Sequence, residues 1–105
     1  MARGPIHPGE HLAEELQALG MSAAELARQL RVPTNRISQI LKGQRSLTGD
    51  TALRFGHWFG TDPRFWLNLQ AQFDLAIADR ETGDAIRHLP TRSGLPSQGE
   101  QPGLI

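Results

Sequence analysis

The sequence predicts an all-α fold of five helices around one core. Apolar residues recur at helical spacing along most of the chain, and capping residues and glycines punctuate it at regular intervals. Strand signals are missing: there is no period-two run of β-branched residues and no Asn-Gly or Asp-Gly turn. With 105 residues the chain is long enough for one core and too short for two.

The first helix is expected over Pro8–Leu19. It has a proline at an early position, Leu12, Leu16 and Leu19 spaced for one apolar face, and Gly20 as its stop. The second, about residues 22–31, opens on Ser22 and Glu25 as a capping box and carries Leu26, Ala27 and Leu30. The third follows almost at once over residues 33–42, with Ile37, Ile40 and Leu41 inward and Gly43 closing it. The fourth, Gly49–Phe59 behind Thr48, carries Ala52, Leu53, Phe55, Trp58 and Phe59 and ends at Gly60. In the fifth, Asp62 caps and Pro63 takes the first position ahead of Phe65, Trp66, Leu69, Phe73 and Ile77. Beyond Ile77 the pattern loosens, and Gly83 makes residues 78–89 a weaker extension. Residues 1–89 are therefore expected to form the domain. Residues 90–105, rich in Pro, Gly, Ser and Gln, are expected to form a flexible tail.

Composition narrows the function. No apolar stretch approaches the roughly 18 residues of a membrane span, and no apolar leader marks the N-terminus, so a cytoplasmic location without membrane partners is expected. Zero cysteines exclude disulfides, Cys-ligated zinc and thiol catalysis. Net charge is zero, but its placement is uneven. Glu10, Glu14, Glu15 and Glu25 dominate the first quarter, whereas Arg28, Arg31, Arg36, Lys42 and Arg45 follow with no acidic residue between Leu26 and Gly49. A basic block of this kind suits an anionic partner.

Residues 21–45 have the layout of a helix-turn-helix: a capped helix, a very short connection and a second helix followed by glycine and basic residues. Ala27 is small where the helices must cross, Val32 is placed to plug the core under the turn, and Ile37 anchors the second helix. Arg31 stands where a positive φ is wanted and glycine is common. With the isoleucines inward, the polar side of the second helix points out. The candidate base contacts are Thr34, Asn35, Arg36, Ser38 and Gln39, because Asn and Gln pair with adenine N6 and N7, Thr touches the thymine methyl and Arg reaches guanine. Candidate phosphate contacts are Ser22, Lys42, Gln44, Arg45 and Thr48.

No catalytic constellation competes with this reading, so no enzyme, cofactor or metal is expected. His7, Glu10 and His11 do spell H-x-x-E-H, a zinc-peptidase spacing. Pro8 and Gly9 interrupt it and leave His7 at or before the helix cap, where with Glu10 it is expected to shape the helix start. Trp58, Phe59, Phe65, Trp66, Leu69 and Phe73 crowd into sixteen residues, more apolar surface than so small a core covers. Phe65, Trp66, Leu69 and Phe73 are therefore expected at a dimer interface of fifth helices.

Several stretches carry a family resemblance: Ile6 to Glu10 (Ile-His-Pro-Gly-Glu), Arg36-Ile37-Ser38, Asp50 to Arg54, Phe59 to Pro63, and Phe65 to Gln70 (Phe-Trp-Leu-Asn-Leu-Gln). Over about residues 6–75 the chain closely resembles the HigA-type antitoxins, a branch of the lambda-repressor-like helix-turn-helix family. The resemblance implies a five-helix dimer that represses its own operon at a palindromic operator on double-stranded DNA. It also implies neutralisation of a RelE-like, HigB-like toxin that cleaves mRNA on the ribosome. The acidic first helix, with Glu10, Glu14 and Glu15, is the candidate surface for so basic a partner. A stand-alone regulator without a toxin, or a protein-binding module that no longer binds DNA, fits the same residues.

Overall fold

Local capping decides where the helices begin. In the computed structural model, which describes residues 4–94, they are α1 Pro8–Leu19, α2 Ala23–Leu30, α3 Thr34–Leu41, α4 Gly49–Phe59 and α5 Pro63–Arg87, followed by a single 3-10 turn at Arg92–Gly94. No strand occurs among the described residues, and none of their helices is long and apolar enough to cross a membrane. His7 caps α1: its Nδ1 accepts the Gly9 N–H at 2.9 Å, while the Glu10 carboxylate accepts the His7 N–H at 3.4 Å. Ser22 and Glu25 exchange the same pair of bonds at α2 (3.1 and 3.0 Å), and Asp62 accepts the Arg64 N–H at 2.9 Å to start α5. The spacing H-x-x-E is thus used as a capping box.

The core joins all five helices through Leu12, Leu16, Leu26, Ala27, Leu30, Ile37, Ile40, Ala52, Phe55 and Trp66. α1 packs on both α3 and α5, α2 crosses α3, and α4 packs along α5. Gly9 makes the α1–α3 contact possible, because a Cβ there would fall on the carbonyl group of Ile40.

Three apolar positions differ from expectation. Leu19 is 53% exposed, since α1 ends there and the left-handed turn at Gly20 brings Met21 onto the core instead. Leu53 is 64% exposed because the inward stripe of α4 runs through Ala52, Phe55 and Gly56, which leaves Leu53 on the far side. Trp66, expected at an interface, is only 1% exposed: it lies edge-on to Phe55 at 4.9 Å between ring centroids and fills the core of its own protomer.

The connection between α3 and α4 was not legible as structure. Leu47, between α3 and α4, is buried, and its N–H donates to Gln70 Oε1 of α5 at 2.8 Å. Gln70 in turn donates through Nε2 to Asp74 at 2.9 Å, so this buried amide is satisfied at both ends. The extension expected beyond Ile77 is helix: α5 continues without a break through Gly83 to Arg87, which bridges Asp79 and Asp84 at 2.8 and 2.9 Å. Of the segment expected as a tail, residues 90–94 are described and exposed, and residues 95–105 lie outside the described residues.

His7 is buried among α1, α5 and the loop after α3. Its ring meets Phe73 edge-on at 4.9 Å and lies beside Gly43 of that loop. Burial lowers its pKa from the ordinary 6.5, against weaker upward pulls from Asp74, Glu10 and Arg45. Below that value the unfolded chain binds more protons than the folded one, so the contribution of His7 to stability is complete above it and declines as pH falls.

Gly9→Ala is expected to lower unfolding free energy by about 1–3 kcal/mol, the cost of overpacking a tight contact, as read by urea denaturation; an unchanged midpoint would mean that α1 stands farther from α3. His7→Asn keeps a capping side chain that does not titrate, and its thermal midpoint is expected to fall less than the parent's between about pH 8 and about pH 5. Parallel curves for the two proteins would show that His7 is not the group responsible.

Candidate nucleic-acid interface

The site is built by the turn between α2 and α3. Arg31 adopts φ 59°, with its N–H bonded to the Arg28 carbonyl (3.2 Å) and the Val32 N–H to that of Ala27 (3.0 Å). This paired closure is the one that glycine normally serves, and here an arginine bears its strain. The tight turn drops Val32 onto the core and lays α3 across α2 at the buried Ala27. Ile37 and Ile40 are fully buried beneath α3, which fixes its opposite side outward.

On that outward side Thr34 and Asn35 are exposed, and Ser38 and Gln39 are half-buried along the helix. The Ser38 hydroxyl donates to the Thr34 carbonyl at 3.1 Å. Arg45 Nε donates to Gln39 Oε1 at 2.9 Å, which holds the amide in one orientation. An amide oxygen has two acceptor sites, so Gln39 keeps one acceptor and two donors for a base edge. Lys42, Gln44, Arg45 and Thr48 are all exposed beyond the end of α3, on a loop held by Leu47 and Gln70.

Two candidates stand differently from the rest. Ser22 is exposed, but its hydroxyl accepts the Glu25 N–H and its own N–H donates to Glu25, so a carboxylate already occupies that helix end. Arg36 leans toward α4: Nη1 lies 2.9 Å from Asp50 Oδ2, and its side chain is only 28% exposed. The same oxygen accepts Arg54 Nε at 2.9 Å, and Arg54 Nη1 donates to the Leu30 carbonyl at 2.7 Å. Arg54 and, less strongly, Arg36 hold the Asp50 carboxyl below the usual carboxylate range. Periodicity indicates the face of Arg36 but gives no sign of Asp50, fourteen residues away.

The fifth helix presents a second surface. Phe65 is 40% exposed, and Leu69 and Phe73 are half-buried. With Ile6, His11 and Glu14, Leu69 and Phe73 line a groove of about 430 Å³ between α1 and α5. Among the described residues no cluster of three or more His, Cys, Asp or Glu side chains is placed to hold a metal ion.

The helix-turn-helix family matches over residues 12–66, from α1 to the first turn of α5. An addiction module antidote protein of the HigA family from Coxiella burnetii is 53% identical; the match covers 85% of this chain and 98% of that one, with a TM-score of 0.83. The antitoxin HigA of Pseudomonas aeruginosa, solved with the higBA promoter, is 40% identical over 84% of this chain and 97% of its own, with a TM-score of 0.80. Virulence-associated protein I of Dichelobacter nodosus is 48% identical over 77 residues, 72% of this chain and 71% of that protein.

Arg31→Gly is expected to raise unfolding free energy by about 0.5–1 kcal/mol, because relief of the left-handed strain outweighs the extra entropy of the unfolded chain. Chemical denaturation reads the difference, and a loss of stability would show that the Arg31 side chain contributes more than its backbone strain costs.

Proposed function

Given that the chain belongs to the helix-turn-helix family, and within it to the HigA-type antitoxins, we propose that it binds operator DNA and represses its own toxin–antitoxin operon. The observation that carries this reading is the polar outer face of α3, held rigid by buried isoleucines and flanked by a basic loop. Thr34, Asn35, Ser38 and Gln39 read base edges in the major groove, while Lys42, Gln44, Arg45 and Thr48 hold phosphates. Arg36 reaches the DNA from beside Asp50, and Ser22 contributes through a hydroxyl that already serves its helix cap.

The active form is a homodimer. Phe65, Leu69 and Phe73 on α5 supply the apolar contact, with Trp66 supporting them from the core. Two-fold pairing sets the recognition helices about 34 Å apart, one turn of DNA, and matches a palindromic operator. Residues 1–89 act as the unit, in the cytoplasm, without catalysis or a cofactor. The second partner is a RelE-like, HigB-like toxin. A protein that grips RNA carries positive charge, and the exposed Glu10 and Glu14 of α1 with the half-buried Glu15 offer it a complementary surface.

The double variant Asn35→Ala/Gln39→Ala is expected to lose its preference for the duplex upstream of its own operon, at about 1–3 kcal/mol per base contact, with helicity unchanged. Gel-shift titration against a scrambled duplex measures the preference. If it persists, α3 does not read the bases with this face.

A further inference from the structure

We infer that Asp50 is a specificity-determining positioning residue, which holds the Arg36 guanidinium in one place beside the outer face of α3 through a clamp anchored by Arg54 on the end of α2. The inference rests on the DNA-binding reading of that face. It is carried by the way two helices meet at one carboxylate oxygen: Asp50 Oδ2, in the first turn of α4, accepts Arg36 Nη1 from α3 and Arg54 Nε from its own helix, each at 2.9 Å. Arg54 is tied down at its other end, where Nη1 donates at 2.7 Å to the carbonyl of Leu30, the last residue of α2. That carbonyl belongs to the final turn of a helix and has no partner within it, so Arg54 fills a structural vacancy while it orients Asp50. The N-terminal position of Asp50 in α4 also favours its negative charge.

The energetic role of such a cluster is limited. Asp50 is exposed and Arg54 half-buried, and ion pairs this open to solvent add little to stability. What the clamp does change is the freedom of Arg36. A free arginine explores many rotamers and loses them on binding, whereas one held before DNA arrives loses fewer and meets only groups within its reach. Asp50 uses one of the five N–H donors of the guanidinium, so Arg36 is held without being consumed. The carboxylate has a second effect, because a negative charge near the DNA face opposes phosphate wherever Arg36 has no specific partner. Asp50 therefore strengthens operator preference from both sides.

Affinity for the upstream duplex and for a scrambled duplex of equal length is to be measured for the parent, Asp50→Asn, Asp50→Glu, Arg36→Ala and the Asp50→Asn/Arg36→Ala pair. Asp50→Asn is expected to bind scrambled DNA more tightly and to lower the ratio of the two affinities about fivefold or more, within the range for one base contact. Its thermal midpoint should stay within a few degrees of the parent's. Asp50→Glu restores most of the ratio, and in the Arg36→Ala background Asp50→Asn lowers the ratio by clearly less than it does in the parent, because only the direct effect of the charge is left to lose. A ratio equal to the parent's in Asp50→Asn overturns the inference. So does an equal fall with and without Arg36, which would mean that Asp50 acts by charge alone or through the fold. A parent that does not distinguish the two duplexes overturns the DNA-binding reading itself, and the inference with it.

Discussion

The close crossing of α2 over α3 is the constraint on which the rest depends. It needs a small side chain at the crossing, Ala27, and a left-handed residue at the turn, Arg31. It also needs an apolar underside of α3, supplied by Ile37 and Ile40. With those in place only one side of α3 is free to face solvent. A slip of one residue would turn each side chain by about 100° and carry an isoleucine outward, so the packing that stabilises the domain also sets which residues meet the DNA.

The remaining architecture stiffens what surrounds this crossing. Gly9 lets α1 lie against the backbone of α3, and Gln70 reaches from α5 to hold the loop that carries Arg45. Arg45 then orients Gln39. His7, by capping α1 and lying beside Gly43, joins the same loop to the first helix. Polar groups buried in this way are costly when unpaired and rigid when satisfied, which suits a surface that must keep its shape.

Most of the helices were legible in the sequence because their signals are local. The capping pairs Ser22–Glu25 and His7–Glu10 lie three residues apart, and Thr48, Asp62 and Pro63 mark helix starts by their own chemistry. The requirement for positive φ at Arg31 was equally local. Pairings between elements were not legible. Arg36–Asp50, Leu47–Gln70 and Arg54–Leu30 are fourteen, twenty-three and twenty-four residues apart, and periodicity specifies a face without specifying what meets it. The same limit explains Trp66: aromatic crowding indicates excess apolar surface, but only the packing of α5 on α4 decides which ring is withdrawn.

The most direct test of the central claim is NMR on isotopically labelled protein during titration with the duplex upstream of its operon. The account predicts that the side-chain amide signals of Asn35 and Gln39 and the backbone signals of Thr34 and Ser38 shift and become protected from solvent exchange. Those of Ile37 and Ile40 should keep the environment of a buried core. Shifts confined to α1 or α5, with the α3 amides unmoved at saturating DNA, would contradict it.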